Sequence, residues 1–403
     1  MPKLLNASQK YSTLLSLYLA QSIPMTFFST VMPVILRTEH YSLTSIGLLQ
    51  LIKLPWILKF LWAPLVDKTG NNIQNYKKWI FSSEIFYAII IFSAAFLHLK
   101  TNFTLIAILM IIAFAASATQ DIATDAFAYL ILKKEERSLG NSMQSAGSFL
   151  GTLTGSGVLL IVYYYFGWKY LLFALSGFVI LAILPLYFYK PKIKKSTEKI
   201  TKVSSKDIII FFKQKSIGNR VLLLFVFYAG LIGILTMLKP WMVDLGYSIK
   251  EIGIISGIYG PAFGTTMALL MGYIIKKNSR KFGVISIAVL SVLTSGYFWW
   301  LSLQNISFIF LLIGVLAIWG TYGMASVVIY TISMDQVRAG RAGTDFTIQI
   351  VITHLGSILL AVVSGKLAHH IGYTGLYKIE FIISLILLLT FSHLYIDNEP
   401  ENI

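Results

Sequence analysis

The run FTLIAILMIIAFAASATQDIATDAFAYLI, residues 103–131, decides the class of fold. It exceeds the roughly 20 mostly apolar residues that carry an α-helix across a hydrocarbon core about 30 Å thick. Its polar residues Gln120, Asp121 and Asp125 gather toward one end. An ionisable side chain in such a span costs roughly 2.5–3.5 kcal/mol on insertion scales, so it persists only where a partner or a task compensates it. Asp121 and Asp125 stand four apart, one turn from each other on one helix face. Like charges so placed at low dielectric repel unless a lysine lies beside them.

The rest of the chain has the same character. Of 403 residues, 56% are hydrophobic and 12% charged, and the mean hydropathy is +0.74. Soluble globular domains do not have this composition. The alternating segments of about 10 residues that a β-barrel needs are missing. Apolar runs predict an all-α membrane protein with twelve spans, at 12–36, 44–66, 78–98, 103–131, 141–165, 168–189, 219–243, 251–275, 282–302, 306–333, 346–368 and 373–395.

Twelve spans put both chain ends on one face. Most of the 33 lysines and arginines lie on that face, whereas the opposite loops hold Arg37, Lys100, Lys169 and Lys250. The positive-inside rule then makes the termini cytoplasmic, in a bacterial inner membrane. This distribution accounts for the net charge of +16 without a nucleic-acid partner, and anionic headgroups of the lipid bilayer favour the basic loops. The absence of cysteine excludes disulfides, thiolate metal sites and thiol catalysis. Lys3 and Lys10 precede an apolar run from Ser12 to Leu36 that is too long for a signal-peptide core, so it is read as a retained first helix.

The longest polar segment, Lys190 to Arg220, divides the spans six and six. The expected organisation is an N-terminal six-helix bundle (1–189), a basic linker (190–218) and a C-terminal six-helix bundle (219–403). Within the linker, Ser205 can cap a short helix carrying Ile208 to Phe212, either lying on the membrane interface or forming part of a partly ordered connection. The halves repeat. Pro33, Gly47 and Pro55 match Pro240, Gly253 and Pro261 at offsets of 206 or 207, and Arg137, Gly140 and Gln144 match Arg341, Gly343 and Gln349 at offsets of 203 to 205. Two six-span halves repeated in parallel mark a transporter with its cavity between the halves near the midplane.

Within the spans, Lys53 lies mid-span, and Lys59 lies about a turn and a half nearer the basic face. Lys59 can snorkel to the interface or pair with Asp121 and Asp125; Lys53 is the stronger candidate for pairing or substrate contact. Such a cluster either locks the first half or handles protons and substrate anions, and Glu84 can join either arrangement. Gly147, Gly151 and Gly155 form a small-residue stripe that allows close helix approach, for packing or as a rocking interface. Pro24, Pro55 and Pro261 interrupt spans 1, 2 and 8. Gln21, Tyr259, Gln349 and His354 are candidate cavity linings, although His354 can equally bond a backbone carbonyl.

KFLWAPLVD at 59–67, SATQDIATDA at 117–126 and GTDFTIQ at 343–349 resemble the AmpG-like branch of the major facilitators. That branch takes in muropeptide permeases, acetyl-coenzyme A transporters and bacterial siderophore-uptake permeases. The resemblance covers nearly the whole chain and implies the major facilitator fold. It assigns gating to Asp67, Gly70, Lys77, Lys78 and Asp345, with Asp67 holding the inward-closed contact between halves. The general signature after span 2 is only partly kept: Ala63 replaces its first glycine, and Asn71 and Asn72 replace its basic pair. The stretch from Tyr18 to Arg37 and the step Leu54-Pro55-Trp56 look more like the siderophore permeases. The expected protein is therefore a monomeric secondary active transporter importing a small-molecule substrate with protons by alternating access. A siderophore or similar chelate leads; a muropeptide or an acyl-CoA-like amphiphile is the alternative.

No phosphate-binding glycine loop supports ATP-driven transport. His369 and His370 have no carboxylates at ligand spacing, so neither a metal nor another cofactor is expected. A membrane-embedded transferase would need a catalytic constellation that the chain lacks. A permease-like sensor remains the competing class, and concentrative uptake separates the two.

Overall fold

A computed structural model describes residues 2–38, 50–99, 101–190 and 203–395, and every regular element among them is helical. In chain order the first helices are α1 Pro2–Thr26, α2 Met32–Thr38, α3 Leu54–Leu58, α4 Ala63–Thr69, α5 Ile73–Ala94, α6 Phe103–Ile131, α7 Arg137–Leu153 and α8 Leu159–Phe188. Then come α9 Lys206–Phe211, α10 Ile217–Val226, α11 Ile232–Asp244, α12 Ile249–Ile254, α13 Gly260–Lys277, α14 Arg280–Leu301, α15 Phe308–Asp335 and α16 Ala342–Leu394. Seven helical stretches among the described residues are long and apolar enough to cross a membrane. Two of these, Lys134–Phe188 and Ala342–Phe391, each take in two expected spans.

Those two stretches kink at Gly167 (φ 75°) and Gly372 (φ 68°), 205 residues apart. A side chain is strained at such φ, which is why glycine stands at both turns. The expected span 44–66 is not one helix. Its residues 44–49, including Gly47 of the repeat, lie outside the described residues, and the remainder alternates 3₁₀ turns at Gln50–Lys53 and Lys59–Leu61 with α3 and α4. Pro55 and Pro64 each sit at the start of a short helix, where a missing amide is tolerated. Three π turns, Phe27–Val31, Thr154–Val158 and Ile255–Tyr259, interrupt other expected spans.

Exposed Ile89, Leu181, Ile309 and Leu389 face outward, while Tyr87, Phe114, Phe298 and Tyr377 are buried. The glycine stripe packs α7 against α1: a Cβ on Gly147 or Gly151 would meet Tyr18 Cβ at 2.7 Å or Ser22 Cβ at 2.4 Å. Only glycine lets these backbones approach so closely.

Linker residues 191–202, with Lys194, lie outside the described residues. The short α9 is docked against the later helices through Asp207, with Ile209 and Phe212 exposed. Asp207 is buried, pairs with Arg341, and accepts Arg338 Nη2 on its carbonyl at 3.0 Å. Ser205 makes no capping bond; Asp207 Oδ2 instead accepts the Ser204 amide at 2.8 Å.

The helices before residue 190 meet those after residue 217 at the basic end. Arg137 Nη1 reaches Asp335 Oδ1 at 2.9 Å, and Arg280 bridges Asp335 Oδ2 (2.6 Å) to the Lys134 carbonyl (2.6 Å). Deeper in, Ser326 donates to Ser145 at 2.7 Å, and Gly272 lies against Ser142. These contacts between the two sets of helices gather toward the basic end. One end is sealed.

Candidate functional site

Above this seal, helices from both sets bring charged groups together. The 3₁₀ turn at Lys59–Leu61 carries Lys59 inward, and its ammonium pairs with Asp121 Oδ2 on α6. Lys59 is 1% exposed, so the snorkelling alternative is excluded. Its ammonium also lies 4.8 Å from the Trp56 ring centroid, a cation–π contact. One turn on, Asp125 has its own partners: Tyr18 donates to Oδ1 at 2.8 Å, and Gln144 Nε2 approaches at 3.4 Å. The two carboxylates therefore share a face but not a proton donor.

The later helices complete the site. Tyr330 on α15 lies close enough for both carboxylate charges to act on its hydroxyl, and His354 on α16 feels Lys59 and Asp121. His354 is ringed by protein yet exposed to solvent, as a residue lining a wet cleft would be. An ion pair, a tyrosine-held carboxylate and an imidazole can bind a zwitterionic or polyhydroxylated solute. They can also exchange partners when a ligand charge arrives.

Below lies the seal's central contact. Asp67 is buried and accepts from Tyr76 Oη (2.6 Å), the Gly343 amide (2.9 Å), the Thr344 amide (2.7 Å) and Thr344 Oγ1 (2.7 Å). It thus caps the N-terminus of α16 from the other set of helices, where free amides and the helix dipole favour an anion. Burial pushes its carboxyl up to about 6 even though these donors pull the other way. Gly70 is required because a Cβ there would meet the Tyr76 ring at 2.4 Å. Asp345 does not touch Asp67; Arg338 clamps it at 2.6 and 2.8 Å.

Several sequence expectations need correction. Lys53 is half-buried with no carboxylate in ion-pair range among the described residues; the 3₁₀ turns reset the helical phase, and Lys59 makes the pair instead. Glu84 is buried with both oxygens unpartnered, so no bond joins it to the cluster. Gln120 is buried and donates to Thr124 at 2.9 Å. Gln349 does not line a cavity: it is buried and donates to the carbonyls of Ser333 (3.0 Å) and Asp345 (3.1 Å). Gln21 is buried too, whereas Tyr259 is exposed at a π turn. Lys77 donates to the Tyr189 carbonyl at 2.9 Å and Lys78 is exposed, so the partner of Asp67 within its own helices is Tyr76. Sequence reasoning missed Tyr18, Tyr76, Asp207, Arg338, Asp335 and Glu380. Only Glu380 carried a usable signal, as an acid within an apolar run.

Comparison with known proteins fits this arrangement. A family model described as Major Facilitator Superfamily matches residues 14–349 and again 221–403. The chain is 22% identical over 372 residues to the anhydromuropeptide permease of Escherichia coli, covering 90% of this chain and 75% of that protein. It is 26% identical over 401 residues to putative transporter AmpG 3 of Rickettsia prowazekii, covering 95% and 94%. Among solved structures, a bacterial homologue of the iron transporter ferroportin in an outward-facing state superposes with a TM-score of 0.69 at 17% identity, over 96% of this chain and 99% of that one. The human organic anion transporter MFSD10 gives 0.72 at 13% identity, over 96% and 99%. With its helical fold, its sealed end and a family match spanning most of its length, the chain belongs to the Major Facilitator Superfamily.

Proposed function

We propose that this secondary transporter imports a muropeptide across the bacterial inner membrane, driven by protons. The substrate reading rests on the named AmpG relatives. They favour the muropeptide alternative over the siderophore that the residues around Tyr18 and Pro55 suggested. The architecture that goes with it is two six-helix bundles, 1–189 and 219–403, joined by 190–218 in a monomer with cytoplasmic termini. The sealed basic end is then cytoplasmic, and the conformation is outward-facing.

The single observation that carries the mechanism is the buried Lys59–Asp121 pair beside Asp125, opposite His354. A substrate carboxylate that draws Lys59 away leaves Asp121 without its counter-charge, and a proton then replaces the lysine. Closing the outer mouth over this neutralised site and breaking the Asp67 contact delivers both inward.

Proteoliposome uptake of labelled anhydromuropeptide, with and without an inward proton gradient, tests this. Concentrative uptake only with the gradient is expected, with no competition from ferric siderophore or an acyl-CoA ester. Equal accumulation under both conditions removes proton coupling, and competition by a siderophore alone removes the substrate reading.

A further inference from the structure

The second set of helices contains a buried acid that the mechanism above does not use. The expected span 219–243 is broken: α10 ends at Val226, α11 starts at Ile232, and between them Gly230 adopts φ 85°. Irregular backbone at membrane depth survives only where protein or a cavity satisfies it. Tyr228, Ala229 and Leu231 in the break are buried.

Glu380 fills this break from α16. It is 4% exposed, accepts from Ser364 Oγ at 2.9 Å, and has the backbone N–H of Gly230 turned toward it. A Cβ on Gly233 would stand 1.8 Å from Glu380 Oε1, and one on Gly230 would stand 2.0 Å from Ser384 Oγ. Glycine at both positions is what lets the acid lie against the first turn of α11. Ser295 on α14 donates to Ser384 at 3.1 Å.

No cation balances this acid. Among the described residues Glu380 has no ion pair; Lys378 turns away to within 5.9 Å of the Trp299 ring centroid, and Lys239 and Lys366 are exposed. The titratable group facing it is Tyr377, one turn earlier on α16, whose hydroxyl is buried without a partner. From α11 it meets Gly233. A carboxylate so enclosed carries its charge against hydrogen-bond dipoles alone, a condition that a bound monovalent cation relieves.

We propose that Glu380, with Ser364 and the Gly230 break, is a monovalent-cation site, for a proton or sodium, whose occupancy sets the bend between α10 and α11. It rests on the transporter reading but is separate from the Lys59–Asp121–Asp125 cluster. Bending at Gly230 moves the amide that faces the carboxylate, so cation binding and the position of α11 are linked.

The native chain has no cysteine, so spin labels on Arg37→Cys and Leu245→Cys report the outer mouth directly. The purified full chain is reconstituted without substrate, and label distances are followed in mildly acidic and mildly alkaline buffers containing sodium or choline. The expected result, measured in an Asp67→Asn background that removes the acid response of the seal, is a cation-dependent shift that Glu380→Gln abolishes. A shift with acid in choline assigns the proton, and a shift with sodium alone assigns sodium. Ser364→Ala keeps the carboxylate and is expected to move the midpoint about tenfold in cation concentration, the scale of one hydrogen bond to a charged group. A full response in Glu380→Gln, no response of the unsubstituted site to either cation, or an unmoved midpoint in Ser364→Ala overturns the proposal. Because no substrate is present, failure here is distinguishable from failure of muropeptide uptake.

Discussion

Replacing Lys59 by Met leaves Asp121 buried and uncompensated, and breaking a buried pair from one side costs about 3–5 kcal/mol. Protonation sets a ceiling on that loss. Taking an aspartate from its ordinary value of about 3.9 to the neutral acid at pH near 7.4 costs about 5 kcal/mol, and about 2 kcal/mol at pH near 5.4. The penalty of Lys59→Met is therefore expected to shrink as pH falls, and Lys59→Met/Asp121→Asn is expected to recover most of it at every pH. Thermal unfolding of purified protein, followed by intrinsic tryptophan fluorescence across that pH range, measures both. Uptake separates structure from function: the double variant is expected to fold and to accumulate no muropeptide. A pH-independent penalty, or no penalty at neutral pH, refutes the buried-pair reasoning. A double variant that still concentrates substrate reduces the pair to a structural lock.

Other perturbations test the seal and the packing. With Asp67 raised to about 6 in the sealed end and near its ordinary value once opened, proton binding favours the seal; this effect is full below the ordinary value and lost as pH rises through about 6. Lowering pH on the basic side from about 7.5 to about 5 is expected to shift the sealed population about tenfold. The shift is read as slower maleimide labelling of Ser138→Cys, and Asp67→Asn is expected to flatten it. Arg338→Ala leaves Asp345 and Asp207 short of their partner and is expected to cost about 3–5 kcal/mol in thermal unfolding. Arg338→Lys is expected not to rescue it, because an ammonium cannot make the bidentate contact. Gly151→Ala puts a Cβ 2.4 Å from Ser22 Cβ and is expected to lose about 1–3 kcal/mol of stability. Gly157→Ala, with nothing within 4 Å, is expected to be neutral.

The cost of a charge in hydrocarbon made Asp121, Asp125 and Lys59 legible in the sequence, because that argument needs only composition and depth. Choosing between Lys53 and Lys59 needed helical phase, and the 3₁₀ turns around Pro55 and at Lys59–Leu61 destroy phase in that span. Gln349 illustrates another limit: a glutamine bonded to carbonyls looks, in one dimension, like one lining a cavity. The burial of Arg338 and Arg341 was not legible, since hydropathy cannot register a loop buried against a linker. Glu380, an acid inside the expected span 373–395, was legible by the rule that found Asp121.

The chemistry of the seal bears on how it opens. Its hydrogen-bonded contacts are an aspartate capping a helix, an arginine–aspartate–arginine bridge and a serine pair, and beside them Met334, Val337, Ala342 and Phe346 pack in one buried apolar cluster with Ile122, Ala126 and Phe127. When such an interface parts into water, each lost protein bond is replaced by one to solvent, so each typically contributes only about 0.5–1.5 kcal/mol net. Parting the apolar share of the seal exposes hydrocarbon surface at about 25 cal/mol per Å². A ligand shifts a two-state equilibrium only by its differential affinity, about 1.4 kcal/mol per tenfold. The few modest polar bonds of the seal lie within that range, so a solute and a proton bound at the Lys59 cluster offset that share, while the apolar packing across the seal adds to what opening costs. Protonation of Asp67 itself shifts the balance, because its burial is lost whenever α16 moves away. Proton concentration on the basic side thus biases the same gate that the transported proton helps to open.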